Sequence, residues 1–172
     1  MVSPPPTAVG HPASADQLPP EALALATRLF DAARNGQIDI LEQALRGGLK
    51  PNMTNGKGDS LIMLASYHGH VPLVHLLIRH GADPNTLNDR GQSPLAGAVF
   101  KNEEEIIKAL LEGGADPTIG EPSALEATKI FRQERFEGMF KEQIEKLGDS
   151  GGMTPMGTVR VMVFESVRMR EY

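Results

Sequence analysis

Three glycines, Gly48, Gly81 and Gly114, lie 33 residues apart, and so do three prolines, Pro51, Pro84 and Pro117. The same interval separates Ala32, Ala65 and Ala98, and then Thr27, Ser60 and Ser93. Four apolar columns keep the period: Ile40/Leu73/Ile106, Leu41/Val74/Ile107, Ala44/Leu77/Leu110 and Leu45/Ile78/Leu111. Within each copy these slots are i, i+1, i+4 and i+5, one face of a helix. A shorter helix precedes it, marked by Leu29/Ile62/Leu95 and by the Ala column, whose small side chains let helices approach closely. Gly36, Gly69 and Asn102 stand between the two helices, residue types that tolerate a left-handed turn. Gly48, Gly81 and Gly114 suit a helix stop, and the prolines that follow prevent continuation. Asn55-Gly56 and Asn88-Asp89 fall where a tight projecting turn is needed. Each unit is helix, turn, helix and extended loop, and it buries both helical faces only when about three or more copies stack.

The period and its residues resemble the ankyrin repeat family. The resemblance is carried by Gly58-Asp59-Ser60-Leu61-Ile62 through Ala65 and His70, and by Val74-His75-Leu76-Leu77 through Gly81-Ala82-Asp83-Pro84-Asn85. Gly91-Gln92-Ser93-Pro94-Leu95 opens the next copy, which ends in Gly114-Ala115-Asp116-Pro117. A degenerate fourth copy starts at Ser123, 30 residues after Ser93, so its loop has lost three residues. Its second helix, about Glu134 to Leu147, carries Phe136, Met139, Phe140, Ile144 and Leu147 among charges, as a terminal cap does. The resemblance implies an all-α solenoid of about four repeats (21–54, 55–87, 88–119 and 120–147), with the outer two as caps. The family's Thr-Pro-Leu-His start reads Ser60-Leu61-Ile62-Met63 and Ser93-Pro94-Leu95-Ala96, so the network its histidine anchors is missing. Gly97 inside a helix and Glu104 in an apolar slot mark the third repeat as the expected weakest.

Residues 1–20 hold six of the thirteen prolines and read as a mobile, polyproline-like tail. At the other end, Gly148-Asp149-Ser150-Gly151-Gly152 reads as a flexible break that opens a tail over 148–172. With 17 Lys+Arg against 22 Asp+Glu the net charge is −5, which argues against a nucleic-acid binder. There is no Cys, so disulfides, thiol nucleophiles and Cys-ligated metals are excluded. No stretch has the roughly 18–20 apolar residues of a membrane span, and no signal-like N-terminus is evident, so a cytoplasmic or nuclear protein is expected.

No nucleophile elbow, phosphate loop or His-Glu-x-x-His motif occurs, so no enzyme and no cofactor are expected. His68, His70, His75 and His80 crowd the second repeat, and the alternative reading is a histidine-based metal protein or enzyme. A metal would need them on one face, whereas His70 opens the long helix and His75 and His80 fall on its solvent side. The family match implies a concave protein-binding surface, used by adaptors, inhibitors or escorts. Carried over by position, it comprises Arg34, Asn35, Tyr67, His68, Phe100 and Lys101 on the short helices. On the hairpins it comprises Thr54, Lys57, Asp59, Leu87, Asp89, Arg90 and Gln92. Tyr67 and Phe100 should be neighbours, exposed aromatics ringed by polar groups in the manner of an interface hot spot. The acidic balance favours a basic protein partner, and a monomer is expected, with a homo-oligomer as a further alternative.

Overall fold

The structure, a computed structural model, describes residues 19–150; the readings made for the proline-rich segment before them and for residues beyond 150 lie outside that range. The described helices pair along the chain, the first of each pair being the shorter except in the first repeat: α1 (Pro20–Arg34), α2 (Ile38–Arg46), α3 (Leu61–Tyr67), α4 (Val71–Arg79), α5 (Pro94–Lys101), α6 (Glu104–Glu112), α7 (Ala124–Ile130) and α8 (Glu137–Ser150). A 3-10 turn, Glu134–Phe136, leads into α8. The last helix runs through Gly148 to Ser150, three residues into the expected break.

Each inter-helix turn bends where a side chain would be strained: φ is +68° at Gly36, +78° at Gly69 and +60° at Asn102. The stops at Gly48, Gly81 and Gly114 are likewise left-handed. Stacked α1, α3, α5 and α7 form one layer and α2, α4, α6 and α8 the other. Between them Leu41, Leu61, Ile62, Leu73, Val74, Leu77, Leu95, Ile106, Ile107 and Leu110 are fully buried. Ala32, Ala65 and Ala98 are also fully buried, as a close approach of neighbouring short helices requires.

Polar side chains stitch one repeat to the next. The Asn52 side-chain oxygen accepts from the Asp83 backbone N–H at 2.7 Å, and Asn85 does the same for Asp116 at 2.8 Å. Their amides donate onward to the Gly81 and Gly114 carbonyls. At the third position stands Thr118, which bonds back to Asp116 instead. Serines cap the starts of α3, α5 and α7. Ser60, Ser93 and Ser123 each accept from the backbone N–H three residues on, and Glu126 closes a reciprocal capping box with Ser123.

The two features that single out the third repeat each have a defined neighbour. Glu104 pairs with Lys108 at 2.9 Å and reaches Arg135 at 3.4 Å. Gly97 lies beside Tyr67 in an otherwise well-buried helix. The second-layer helices differ in burial: α2 buries Leu41 and Leu45, whereas α6 buries Ile106, Ile107, Ala109 and Leu110. The cap helix α8 also departs from its expected stripe. Phe136 and Phe140 are buried, but Leu147 is exposed and Gln143 turns inward to donate to the Leu111 carbonyl.

Candidate functional site

The loops between repeats project as two hairpins whose tips are built by asparagine. Asn55 accepts from the Lys57 and Asp59 backbone N–H groups, and Asn88 from those of Arg90 and Gln92. The left-handed residue of each turn is Gly58 (φ +74°) and Gly91 (φ +71°), not the Gly56 and Asp89 that follow the asparagines. Adjacent tips are tied together. The Asp89 N–H donates to the Lys57 carbonyl at 3.2 Å, and the Asn88 amide donates to the Asp59 carboxylate at 3.0 Å.

Facing these tips across a groove of about 800 Å³ are the C-terminal ends of α1, α3, α5 and α7. Of the thirteen residues expected at a site, Arg34, Lys57, Asp59, Tyr67, His68, Arg90, Gln92 and Phe100 line it. The other five do not. Asn35 is the C-cap of α1, and Thr54 bridges to Ser60 at the hairpin base. Leu87 is exposed on the loop outside the groove. Asp89 packs its carboxylate against Gly58, where a Cβ would come within 2.5 Å of it. Lys101 borders the groove, its Nζ 5.0 Å from the centre of the Tyr67 ring, within cation–π range.

An aromatic row forms one wall. The Tyr67 and Phe100 rings stack with centroids 6.5 Å apart and planes 10° from parallel. Phe131 then meets Phe100 edge-on at 5.0 Å. All three stay partly open to solvent, at 41%, 51% and 37%. Ile130, the residue in register with Phe100, is 59% exposed and does not line the groove. Phe131 takes its place because the chain turns out of the helix there, at the C-cap of α7. Counting from Ser123 puts Phe131 in the His68/Lys101 column, so the repeat period alone did not single it out. Met63 and Leu64 complete the floor beneath the row.

The histidines do not converge. The ring of His70 is held by its Nε2 to the Arg34 backbone carbonyl at 2.7 Å; since a carbonyl only accepts, Nε2 carries the proton. His70 thus stands at the N-cap position just before α4, with its side chain making no capping bond. His68 stacks at 6.3 Å on His70 and meets Tyr67 edge-on. Partial burial holds the His68 pKa below its ordinary value, helped by the charges of His70, Lys101 and Arg34. Among the described residues no three His, Asp or Glu side chains come together as a metal would need. None of the described helices is long and apolar enough to cross a membrane.

Comparison with known proteins matches the same part of the chain. A family model of ankyrin repeats, three copies, covers residues 29–120. The ankyrin repeat protein PA3287 of Pseudomonas aeruginosa is 63% identical over 41 residues, 24% of this chain and 24% of the relative. The matched segment therefore spans about a quarter of that protein's length.

Proposed function

The chain belongs to the ankyrin repeat family, whose repeats generally mediate protein–protein interaction, and from that premise we propose that it binds a protein partner in the groove between hairpin tips and short helices. The observation that carries the reading is the row Tyr67, Phe100 and Phe131, three aromatic rings left partly open on a stitched, well-buried scaffold. A soluble domain has no packing reason to leave three contacting rings in water. Large, rigid apolar surface inside a polar rim is what binding hot spots are made of. The rim is polar here: Arg34, Asp59, Arg90 and Gln92 surround the row.

Preorganisation strengthens the case. The tips are fixed by Asn55 and Asn88 and by bonds between neighbouring hairpins, so little loop ordering accompanies binding. The role is non-catalytic: the chain serves as adaptor, inhibitor or escort, with the single chain as the binding unit.

The test is an affinity pull-down from native lysate, wild type against Tyr67→Ala/Phe100→Ala, after circular dichroism has confirmed that the variant folds. A partner retained by wild type should be lost, since hot-spot truncations remove about 2 kcal/mol or more each. Equal retention by both would place binding on another face. Light scattering of the purified chain checks the monomer.

A further inference from the structure

The net charge of −5 describes the whole chain and misdescribes the groove. Lys57 and Arg90 occupy the same hairpin position one period apart, both on the groove lining. Among the described residues neither forms an ion pair, and neither is tied down by a side-chain hydrogen bond. Across from them, Lys101 stands over the Tyr67 ring and Arg34 closes the near end. Against these cations the lining holds one carboxylate, Asp59, and Asp31 offsets Arg34. Asp59 accepts from the Asn55 and Asn88 amides, and Asp31 pairs with Arg34 at 2.6 Å. Asp89 and Glu121 are absent from the lining.

The excess of negative charge lies on the other layer. Glu104 and Glu105 open α6, and Glu137, Glu142 and Glu145 run along α8. Beyond roughly 8–10 Å such charges are screened at physiological salt, so the local balance decides what the groove attracts: Lys57 and Arg90, with Lys101 at the border, outnumber Asp59 and the neighbouring Asp89.

Resting on the groove reading, we propose that the occupant is an extended acidic segment of the partner protein, with an aromatic or large apolar side chain flanked by Asp or Glu. The apolar side chain seats against Phe100, the most exposed ring of the row, where Gly97 leaves a notch. Tyr67 Cδ2, at 3.7 Å, is the single non-neighbouring heavy atom within 4 Å of a Cβ placed on Gly97. The flanking carboxylates meet Lys57 and Arg90 along the tips and Lys101 on the helix side. Burial lowers the His68 pKa most, and His70, Lys101 and Arg34 lower it further, in keeping with cations at this end of the groove. This reverses the expectation of a basic partner, which rested on the net charge alone.

The experiment selects peptides from a random phage-displayed library on the immobilised full chain. Synthetic copies of the enriched peptides are then measured on wild type, Tyr67→Ala/Phe100→Ala and Lys57→Glu/Arg90→Glu, each checked for folding by circular dichroism. The expected peptides place an aromatic or large apolar residue among Asp and Glu. They should bind the charge-reversed variant about tenfold or more weaker, and wild type progressively less as salt rises. Lys57→Gln/Arg90→Gln should fall between the two. Basic or neutral peptides that need Tyr67 and Phe100 but ignore Lys57→Glu/Arg90→Glu would overturn the acidic occupant and leave the groove reading standing. Peptides indifferent to Tyr67→Ala/Phe100→Ala would overturn the groove reading itself. A selection that enriches nothing would count against both.

Discussion

The imidazole of His70 lies on the α-carbon of Gly36: a Cβ built there would fall 2.6 Å from Nδ1. Gly36 therefore answers two demands, a φ of +68° and room for the ring that bonds to the Arg34 carbonyl. Gly69, its equivalent in the next repeat, meets only the first demand, with Glu103 no nearer than 3.5 Å. Gly69→Ala should lose about 1–2 kcal/mol, the strain of a left-handed L-residue. Gly36→Ala should lose distinctly more, because the ring must also move. Urea denaturation of the two variants decides, and equal losses would contradict the contact.

Gly97 has no such excuse. It sits within α5, and an added methyl would meet Tyr67 at ordinary contact distance, 3.7 Å. Gly97→Ala should raise stability by about 0.5–1 kcal/mol through helix propensity and a less flexible unfolded chain. A fall in the denaturation midpoint would mean that the backbone there needs glycine for another reason.

Removing a stitch should be felt. Asn85→Ala deletes the acceptor of the Asp116 N–H and the donor to the Gly114 carbonyl, both in part-buried surroundings. A loss of about 1–3 kcal/mol is expected, and a smaller one for Asn52→Ala, whose bonds are exposed to water. Reversal of that order would show that burial does not set the strength of these bonds.

Much of this was legible before any coordinates. The 33-residue period located the paired helices of the first three repeats, because it is the burial pattern itself written out in Leu, Ile, Val and Ala. The stack of Tyr67 on Phe100 followed from one repeat step. Phe131 did not, since a three-residue deletion and a turn out of α7 move it across columns. The groove's charge was also hidden. Net charge sums over both layers, whereas the groove lining carries Arg34, Lys57 and Arg90 against the single carboxylate of Asp59. Asn52 and Asn85 stood one period apart in plain view, but their partners lie 31 residues away, outside any local motif.

His68 offers a titration. Its folded-state pKa lies below the ordinary imidazole value, first by burial and then by His70, Lys101 and Arg34. The neutral ring is thus the form that the fold prefers. Its contribution is complete above the ordinary value and declines as pH falls from there through the folded value, because the unfolded chain takes up the proton first. Proton NMR should place the His68 midpoint below that of a free histidine peptide, and Lys101→Gln should move it upward. A midpoint at or above the peptide's would contradict both the burial and the nearby cations.

Hydrogen exchange should report the uneven packing of the second layer. Amides of α2, which buries two side chains, should exchange ahead of those of α6, which buries four. The reverse order would restore the third repeat, with its Gly97 and Glu104, as the weakest.

Thr118 stands where a third asparagine would extend the row of stitches, and that makes the array a polymer with a built-in terminator. Asn52 and Asn85 each hand the register forward to the backbone of the following unit, while Thr118 hands it back to its own Asp116. Growth by duplication is therefore directional. A copy of one period inserted before Thr118 finds both of its couplings waiting and lengthens the groove by one rung. A copy added after it would arrive at a joint with no asparagine to receive it.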